Sequence, residues 1–352
     1  EPDVVVPDPQ RQLRRREIEA ELAAEVSRLA DQFLPEQLTD TDPIHQAFDR
    51  WVKLQLSQSR HWESLRPTRM TSTLPKLTLL EDDSILASGD VTKRDVYRLS
   101  VDVNRGDDAV TALKLEVLPH PSLPDGGPVM AFYEGRRGDF FLSELTVKFN
   151  GQPVSLQDAS HSFGKISVGS GSADASNVID SDGSTGWSTS GHEGNAERLV
   201  VNFAEPISGA GELEVELLFE RHYAAALGRF RVSLTRGPSP AVAMTLPQDL
   251  EQSLDRRGSA DPGSLDKHLS TQLRQQFVRL ASEMKEHRQR IEQLEAELPA
   301  TVRSLGMRER PPEDHRQTHR HHRGEYLQTL EVVEPAVPVA FPPLEENGPA
   351  DR

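Results

Sequence analysis

Two hydrophobic periods divide the chain into helical ends and a strand-rich middle. Apolar residues recur every three or four positions over residues 10–34, which predicts an amphipathic helix ending before Pro35. Asp42 and Pro43 predict the cap and first turn of a second helix that continues to about Ser59. In the middle of the chain the period changes to two, which predicts antiparallel strands with one apolar face each. The clearest strands are predicted at 97–103, 113–117, 141–149, 213–219 and 230–234.

A third pattern follows the strands. From Leu273 to Leu298, apolar residues and His287 are spaced four and three positions apart; we call this the heptad series. It predicts a helix closed by Pro299 and paired with the helix at 10–34 as a helical hairpin or coiled-coil stalk. If His287 is buried there, the pairing should weaken in mild acid; the alternative is that this residue is partly exposed.

These patterns predict a mainly β fold with flanking helices, built around an antiparallel jelly-roll-like β-sandwich. Four histidines near the C-terminus offer metal ligands if the segment is helical, but neighbouring prolines and arginines favour an extended basic segment. They are His315, His319, His321 and His322. The predicted segments are a helical 1–64, a sandwich at 65–238, a coiled-coil-like 239–307, and an extended 308–352 that is rich first in His and Arg and then in Pro.

Composition narrows the possible functions. The net charge of −16 argues against nucleic acid as a partner, since a nucleic-acid binder needs a basic face. No apolar run approaches the roughly 20 residues of a membrane span. The chain has no cysteine, which excludes disulfides, zinc–thiolate sites and covalent c-type haem attachment within it. Glu1 begins the sequence without a leader pattern, so we expect a mature product or a piece of a longer protein.

The segment from Ala175 to Phe203 contains the most distinctive motif. A short apolar strand end is followed by the turn DSDGSTG, a lone Trp187, a polar loop and an alternating strand. This pattern resembles the discoidin (coagulation factor 5/8 C-type) family of galactose-binding-like jelly rolls. The resemblance implies a recognition module rather than a catalyst, with a carbohydrate as its ligand.

Several residues in and near this segment are candidate ligand contacts. Trp187 offers a face on which a sugar ring could stack, although packing at the sandwich edge is the favoured interpretation. His192, Glu193 and Asn195 offer polar sugar contacts, against the alternative of an ordinary solvated loop. Tyr133, beside Phe132, is a further aromatic placed at a predicted loop tip.

Charged residues suggest two more interpretations. Asp180 and Asp182 could supply oxygen ligands to calcium, or form a turn in which side chains bond their own backbone. Arg229 and Arg231 flank Phe230 on one strand and so point away from the core; they could bind a carboxylate, but a cross-strand pair with Glu214 or Glu216 is favoured.

No P-loop, dinucleotide fingerprint or G-x-S-x-G motif is present. The question of catalysis stays open, and the sequence leans towards none in this chain.

A second resemblance rests on short phrases that occur in a fixed order. The phrases are DSILASG from Asp83, LEVLP from Leu115, SLP from Ser122, GDFFLSE from Gly138, Ile179-Asp180 with TGW from Thr185, LGRFR from Leu227 with Thr235, RGEY from Arg323, and VEP from Val333 with Pro338.

In this order the phrases resemble the middle region of large, exported planctomycete proteins, in which paired domains of unknown function flank a variable region, often behind a planctomycete-type cytochrome c domain. The resemblance implies that haem belongs only to a neighbouring domain and that the partners are flanking domains or subunits. We expect a binding or spacer module; the alternatives are a pure scaffold or the non-catalytic wall of a cytochrome-c-linked enzyme.

Overall fold

The computed structural model contains two compact units, Glu1–Met307 and Arg308–Arg352. The first unit contains five helices and fourteen strands among its described residues. The residues described in the whole chain are 3–104, 108–132, 139–166, 171–255, 265–299, 302–305, 317–325, 328–334, 336–337 and 340. The helices are α1 (Pro9–Phe33), α2 (Pro43–Gln58), α3 (Gln248–Asp255), α4 (Lys267–Leu280) and α5 (Gln289–Glu297). The strands are β1 (Asp3–Val5), β2 (Glu63–Ser64), β3 (Arg69–Thr71), β4 (Lys76–Leu79), β5 (Ile85–Ser88), β6 (Arg94–Val103), β7 (Val110–Val117), β8 (Glu144–Phe149), β9 (Gln152–Pro153), β10 (Leu156–His161), β11 (Glu197–Ile207), β12 (Gly211–Glu220), β13 (Arg229–Thr235) and β14 (Arg303–Leu305).

Two antiparallel sheets form the centre of the first unit. The larger has the order β10-β11-β7-β13-β5-β4, with β2 also paired to β13, and the smaller has the order β3-β6-β12-β8-β9. Apolar side chains from both sheets share one core, in which Tyr97 on β6 stacks on Phe230 on β13 with ring centroids 5.7 Å apart. The prediction of antiparallel strands with alternating faces is therefore confirmed.

The helices from the two ends of the chain share a second hydrophobic core. Asp8 and Asp42 cap α1 and α2 by accepting backbone N–H groups, and each helix begins with proline. α1 contacts both α4 and α5, as the predicted pairing requires. Buried residues of all five helices enter this core, so the helical part is a multi-helix layer rather than two paired helices.

The heptad series does not form one continuous helix. α4 ends at Leu280, Ala281 is extended, and α5 begins only at Gln289. Arg288 stabilises the break, because its guanidinium donates to the carbonyls of Arg279 and Ala281, both at 2.9 Å. His287 is exposed at the break and lies 4.2 Å from the ring of Phe33. The interpretation that places it in a buried position is therefore wrong.

One segment ties the helical layer to the larger sheet. After β13 the chain crosses the sheet face that points away from the core, where Ala241 packs with Ala112 and Val200. The fully buried amide of Asn202 donates to the carbonyl of Ala241 at 2.9 Å and accepts from its N–H at 2.8 Å. These two hydrogen bonds fix the connection between β13 and α3 on the sheet.

The two ends of the first unit also meet. β1 and β14 form a separate antiparallel pair, with Val4 opposite Ser304. The N–H of Val6 donates to the carbonyl of Val302 at 2.9 Å. No helix in the described part of the chain is long and apolar enough to cross a membrane.

The second unit contains one described hairpin, formed by β15 (His319–His321) and β16 (Thr329–Val332). The imidazole Nδ1 of His319 contacts the carbonyl of Leu330 at 3.0 Å. His319 and His321 thus lie in a strand, which removes the helical spacing on which the metal interpretation depends. His315 lies outside the described residues.

Candidate functional site

The turn at 180–185 is closed by its own side chains. Asp180 accepts the N–H of Asp182 at 2.8 Å and the hydroxyl of Thr185 at 2.7 Å. Asp182 accepts both the N–H and the hydroxyl of Ser184, at 3.0 and 2.6 Å. Each carboxylate therefore satisfies the backbone of the turn, which matches the Asx-turn interpretation. Among the described residues, no group of three or more His, Asp or Glu side chains is arranged to hold a metal ion.

Trp187 lies inside the sheet core, not at its surface. Its side chain is 0% exposed, its ring packs edge-on against Phe140 at 5.2 Å, and its indole N–H donates to the carbonyl of Phe163 at 2.9 Å. A buried ring has no face free to stack on a sugar. The hypothesis that Trp187 stacks on a ligand is therefore corrected: the residue anchors the loop to the core.

The loop after Trp187 is held by local bonds. His192 contacts Glu197 through Nδ1 at 2.8 Å and stacks on Phe163 at 3.4 Å. The carboxylate of Glu193 accepts the N–H of Gly191 at 2.8 Å, and the amide of Asn195 donates to the carbonyls of His192 and Glu193. These three predicted ligand residues share one loop, and each bonds to another residue within 191–197. Tyr133 lies outside the described residues, and Phe132 packs against the core.

Asp139 is the most perturbed acid near this loop. Its carboxylate is 2% exposed, accepts the N–H of Phe140 at 2.7 Å and lies 3.4 Å from the hydroxyl of Thr189. Burial, reinforced by the charge of Glu193, raises the pKa of Asp139 to about 7. Asp139 therefore joins the segment before β8 to the loop after Trp187, and its carboxyl group has a pKa near neutrality.

The predicted partners of Arg229 and Arg231 are wrong. Glu214 and Glu216 lie on β12 in the smaller sheet and pair instead with Lys148 and Arg98. Arg229 binds Asp82 at 2.7 Å, and Arg231 binds Glu116 at 2.9 Å. Strand alternation predicted the outward direction of both arginines correctly, but it could not indicate which sheet β13 would join.

The outer face of the larger sheet carries a buried charged network. The charged side chains on its strands are covered by α3 and by the connection before α3, although strand alternation would place them in solvent. Glu251 on α3 lies between two cations, 3.3 Å from the Lys114 Nζ and 2.9 Å from the Arg198 Nε. Glu116 lies 3.8 Å from Lys114 and also accepts from Gln248 at 3.1 Å. The members of the charged network are Lys114, Glu116, Arg198, Arg231 and Glu251, with side chains at most 12% exposed.

Opposite charges govern the pKa of Glu116 in this network. Burial alone would raise the pKa of Glu116, but Lys114, the hydrogen bond from Arg231 and the charge of Arg198 outweigh it and lower that pKa. Arg198 also donates to the carbonyls of Met244 and Leu246, at 3.2 and 2.9 Å. The network therefore joins three strands to the helical layer by charge-assisted bonds.

A pocket of about 90 Å³ opens beside this network, and we call it the sheet-face pocket. Strand register places Ser64, Ser233 and Lys114 in one row across β2, β13 and β7. Trp62 lies over the Lys114 ammonium, 4.9 Å from the ring centroid to Nζ. The lining residues are Arg60, Trp62, Ser64, Lys114, Glu116, Arg231, Ser233, Gln248, Glu251, Gln252 and Asp255.

Sequence reasoning missed this site because its residues come from four distant parts of the chain. The only local signal is that Lys114 and Glu116 interrupt a strongly apolar strand, which ordinary alternation also explains. No protein-family model matches the chain, and a search of curated proteins gives no match.

Proposed function

We propose that the chain is a non-catalytic spacer and binding module of a larger exported bacterial multidomain protein. The proposal carries forward both family resemblances, including the jelly-roll-like sandwich, the planctomycete context and a cytochrome c domain outside this chain. One observation supports the spacer role most: β1 and β14 pair, so the two ends of the first unit lie side by side. Segments that flank such a unit would be held at one place.

The buried charged network adds rigidity to this arrangement. It joins the helical layer, which includes residues from both ends of the first unit, to the larger sheet through the ion pairs of Glu251 with Lys114 and Arg198, at 3.3 and 2.9 Å. A spacer must resist relative motion of its parts, and paired buried charges have little freedom to reorganise. Carbohydrate binding is the second candidate and rests on the discoidin resemblance; the burial of Trp187 weakens it.

The spacer role is tested by distance measurements on the full chain. The absence of cysteine allows clean spin labelling of Val6→Cys with Glu212→Cys, and of Ser304→Cys with Glu212→Cys. All three positions are exposed, so the labels should not disturb packing. We expect one narrow distance distribution for each pair by pulsed electron paramagnetic resonance. Broad distributions for both pairs would contradict a rigid spacer.

A glycan array, with and without calcium, tests the carbohydrate alternative. The spacer proposal expects no saturable binding by the full chain. If a glycan binds, His192→Ala and Asn195→Ala would determine whether the 191–197 loop is responsible. Loss of binding in either variant would establish a recognition module there.

A further inference from the structure

The charged network contains more positive than negative groups. Lys114, Arg198 and Arg231 pair with Glu116 and Glu251, and Arg231 also lies 3.9 Å from the Asp82 carboxylate. Adding the next ion pair, Arg229 with Asp82, leaves the excess at one positive charge. The remaining two charged lining groups, Arg60 and Asp255, also cancel. An uncompensated buried charge is costly, so a partner anion would be favoured there.

Lys114 is the member of the network that both lines the pocket and has donor capacity beyond its one hydrogen bond. An ammonium has three donors. Its Nζ makes one hydrogen bond, to Glu251 at 3.3 Å, while Glu116 is 3.8 Å away and the Trp62 ring covers another side. The side chain is 7% exposed and lines the sheet-face pocket. A group bound in that pocket could therefore accept from the remaining donors of the Lys114 ammonium.

The two acids that line the pocket beside Lys114 are already neutralised. Glu116 accepts from Arg231 and Gln248, and Glu251 lies between Lys114 and Arg198. Their repulsion of an incoming anion is thereby reduced. The hydroxyl-bearing residues Ser64 and Ser233 lie in the same row as Lys114 and supply neutral donors beside it.

We propose that the sheet-face pocket binds a small carboxylate, with Lys114 as its main charged ligand. The volume of about 90 Å³ is below the roughly 150 Å³ of an engineered cavity that admits benzene, so it suits a molecule of about four heavy atoms. A carboxylate group accepts from an ammonium and from hydroxyl groups at once, which matches the donors in this row. This inference does not depend on the spacer role.

The test uses acetate as the probe and the full chain at pH 7.5 with constant ionic strength. Saturation-transfer-difference NMR on the acetate methyl should show saturable binding to the native chain. Acetamide has the same shape without the charge and should bind at least about tenfold more weakly. Equal binding of acetate and acetamide, or no saturable binding of acetate, would overturn the proposal.

Two pocket variants and one control locate the site. Lys114→Met removes the ammonium and should weaken acetate binding about tenfold or more, while Lys148→Met, at an exposed pair on β8, should leave it unchanged. Ser64→Leu fills the pocket from β2 and leaves every ion pair in place, and it should also weaken acetate binding. It therefore tests the site even if Lys114→Met fails to fold. Acetate binding that survives in a folded pocket variant would overturn the assignment.

Discussion

Removing the Glu251 carboxylate should detach the helical layer from the sheet. Glu251 is 4% exposed and lies between Lys114 and Arg198 at 3.3 and 2.9 Å, so Glu251→Gln leaves two buried cations without their shared anion. Breaking a buried ion pair in this way costs roughly 3–5 kcal/mol. At about 2 °C per kcal/mol for a unit of this size, the unfolding temperature should fall by roughly 6 to 10 °C.

Three tryptophans allow this effect to be located. Trp51 packs against the helical core, Trp62 lies over Lys114, and Trp187 is in the sheet core. Chains that retain one tryptophan each, with the other two changed to Phe, report on these regions separately by fluorescence during urea unfolding. In Glu251→Gln we expect the Trp51 and Trp62 signals to change at lower urea than the Trp187 signal.

The matched control is Glu214→Gln. Glu214 pairs with Lys148 at 3.2 Å on the open face of the smaller sheet, where both side chains are partly exposed. Such a pair contributes about 0–1 kcal/mol. If Glu251→Gln lowers the free energy of unfolding no more than this control, the charged network does not hold the layers together and the reasoning fails.

A Lys114→Met/Glu251→Leu double variant should recover stability relative to Glu251→Gln, because it replaces a buried ion pair with apolar side chains.

Three further predictions concern other sites. The carboxyl of Asp139 has a native pKa of about 7, above its unfolded value of 3.8, so the native chain is fully stabilised by protonation below pH 3.8 and loses that stability as the pH rises through 7. Asp139→Asn should therefore stabilise the chain by more than about 1 kcal/mol at pH 8 and change its stability little at pH 3.5, as measured by thermal melts. Equal effects at the two pH values would contradict this. Trp187→Ala should cost roughly 3–5 kcal/mol in urea unfolding because it empties a fully buried site, whereas a surface position would cost little. His287→Leu should change the free energy of unfolding by no more than about 0.5 kcal/mol, since the imidazole is exposed at the helix break; a loss well above this value would contradict the exposed position.

The sequence by itself determined the local elements. Asp8-Pro9 and Asp42-Pro43 begin α1 and α2, because a capping carboxylate followed by proline suits only a helix start. Alternation on β6, β7, β12 and β13 correctly separated core-facing residues from outward-facing ones. Both features depend on residues close together in the chain, so the pattern along the sequence contains the information.

The tertiary structure alone decided what each outward-facing side chain meets. Lys114 and Glu116 occupy the polar face of β7, and a strand pattern cannot tell whether that face meets water or a second layer. Glu251, about 135 residues later, closes the network only because the C-terminal helices cover that face. The burial of Trp187, the partners of Arg231 and the break in the heptad series have the same cause. Each depends on contacts between distant segments, which local periodicity does not encode.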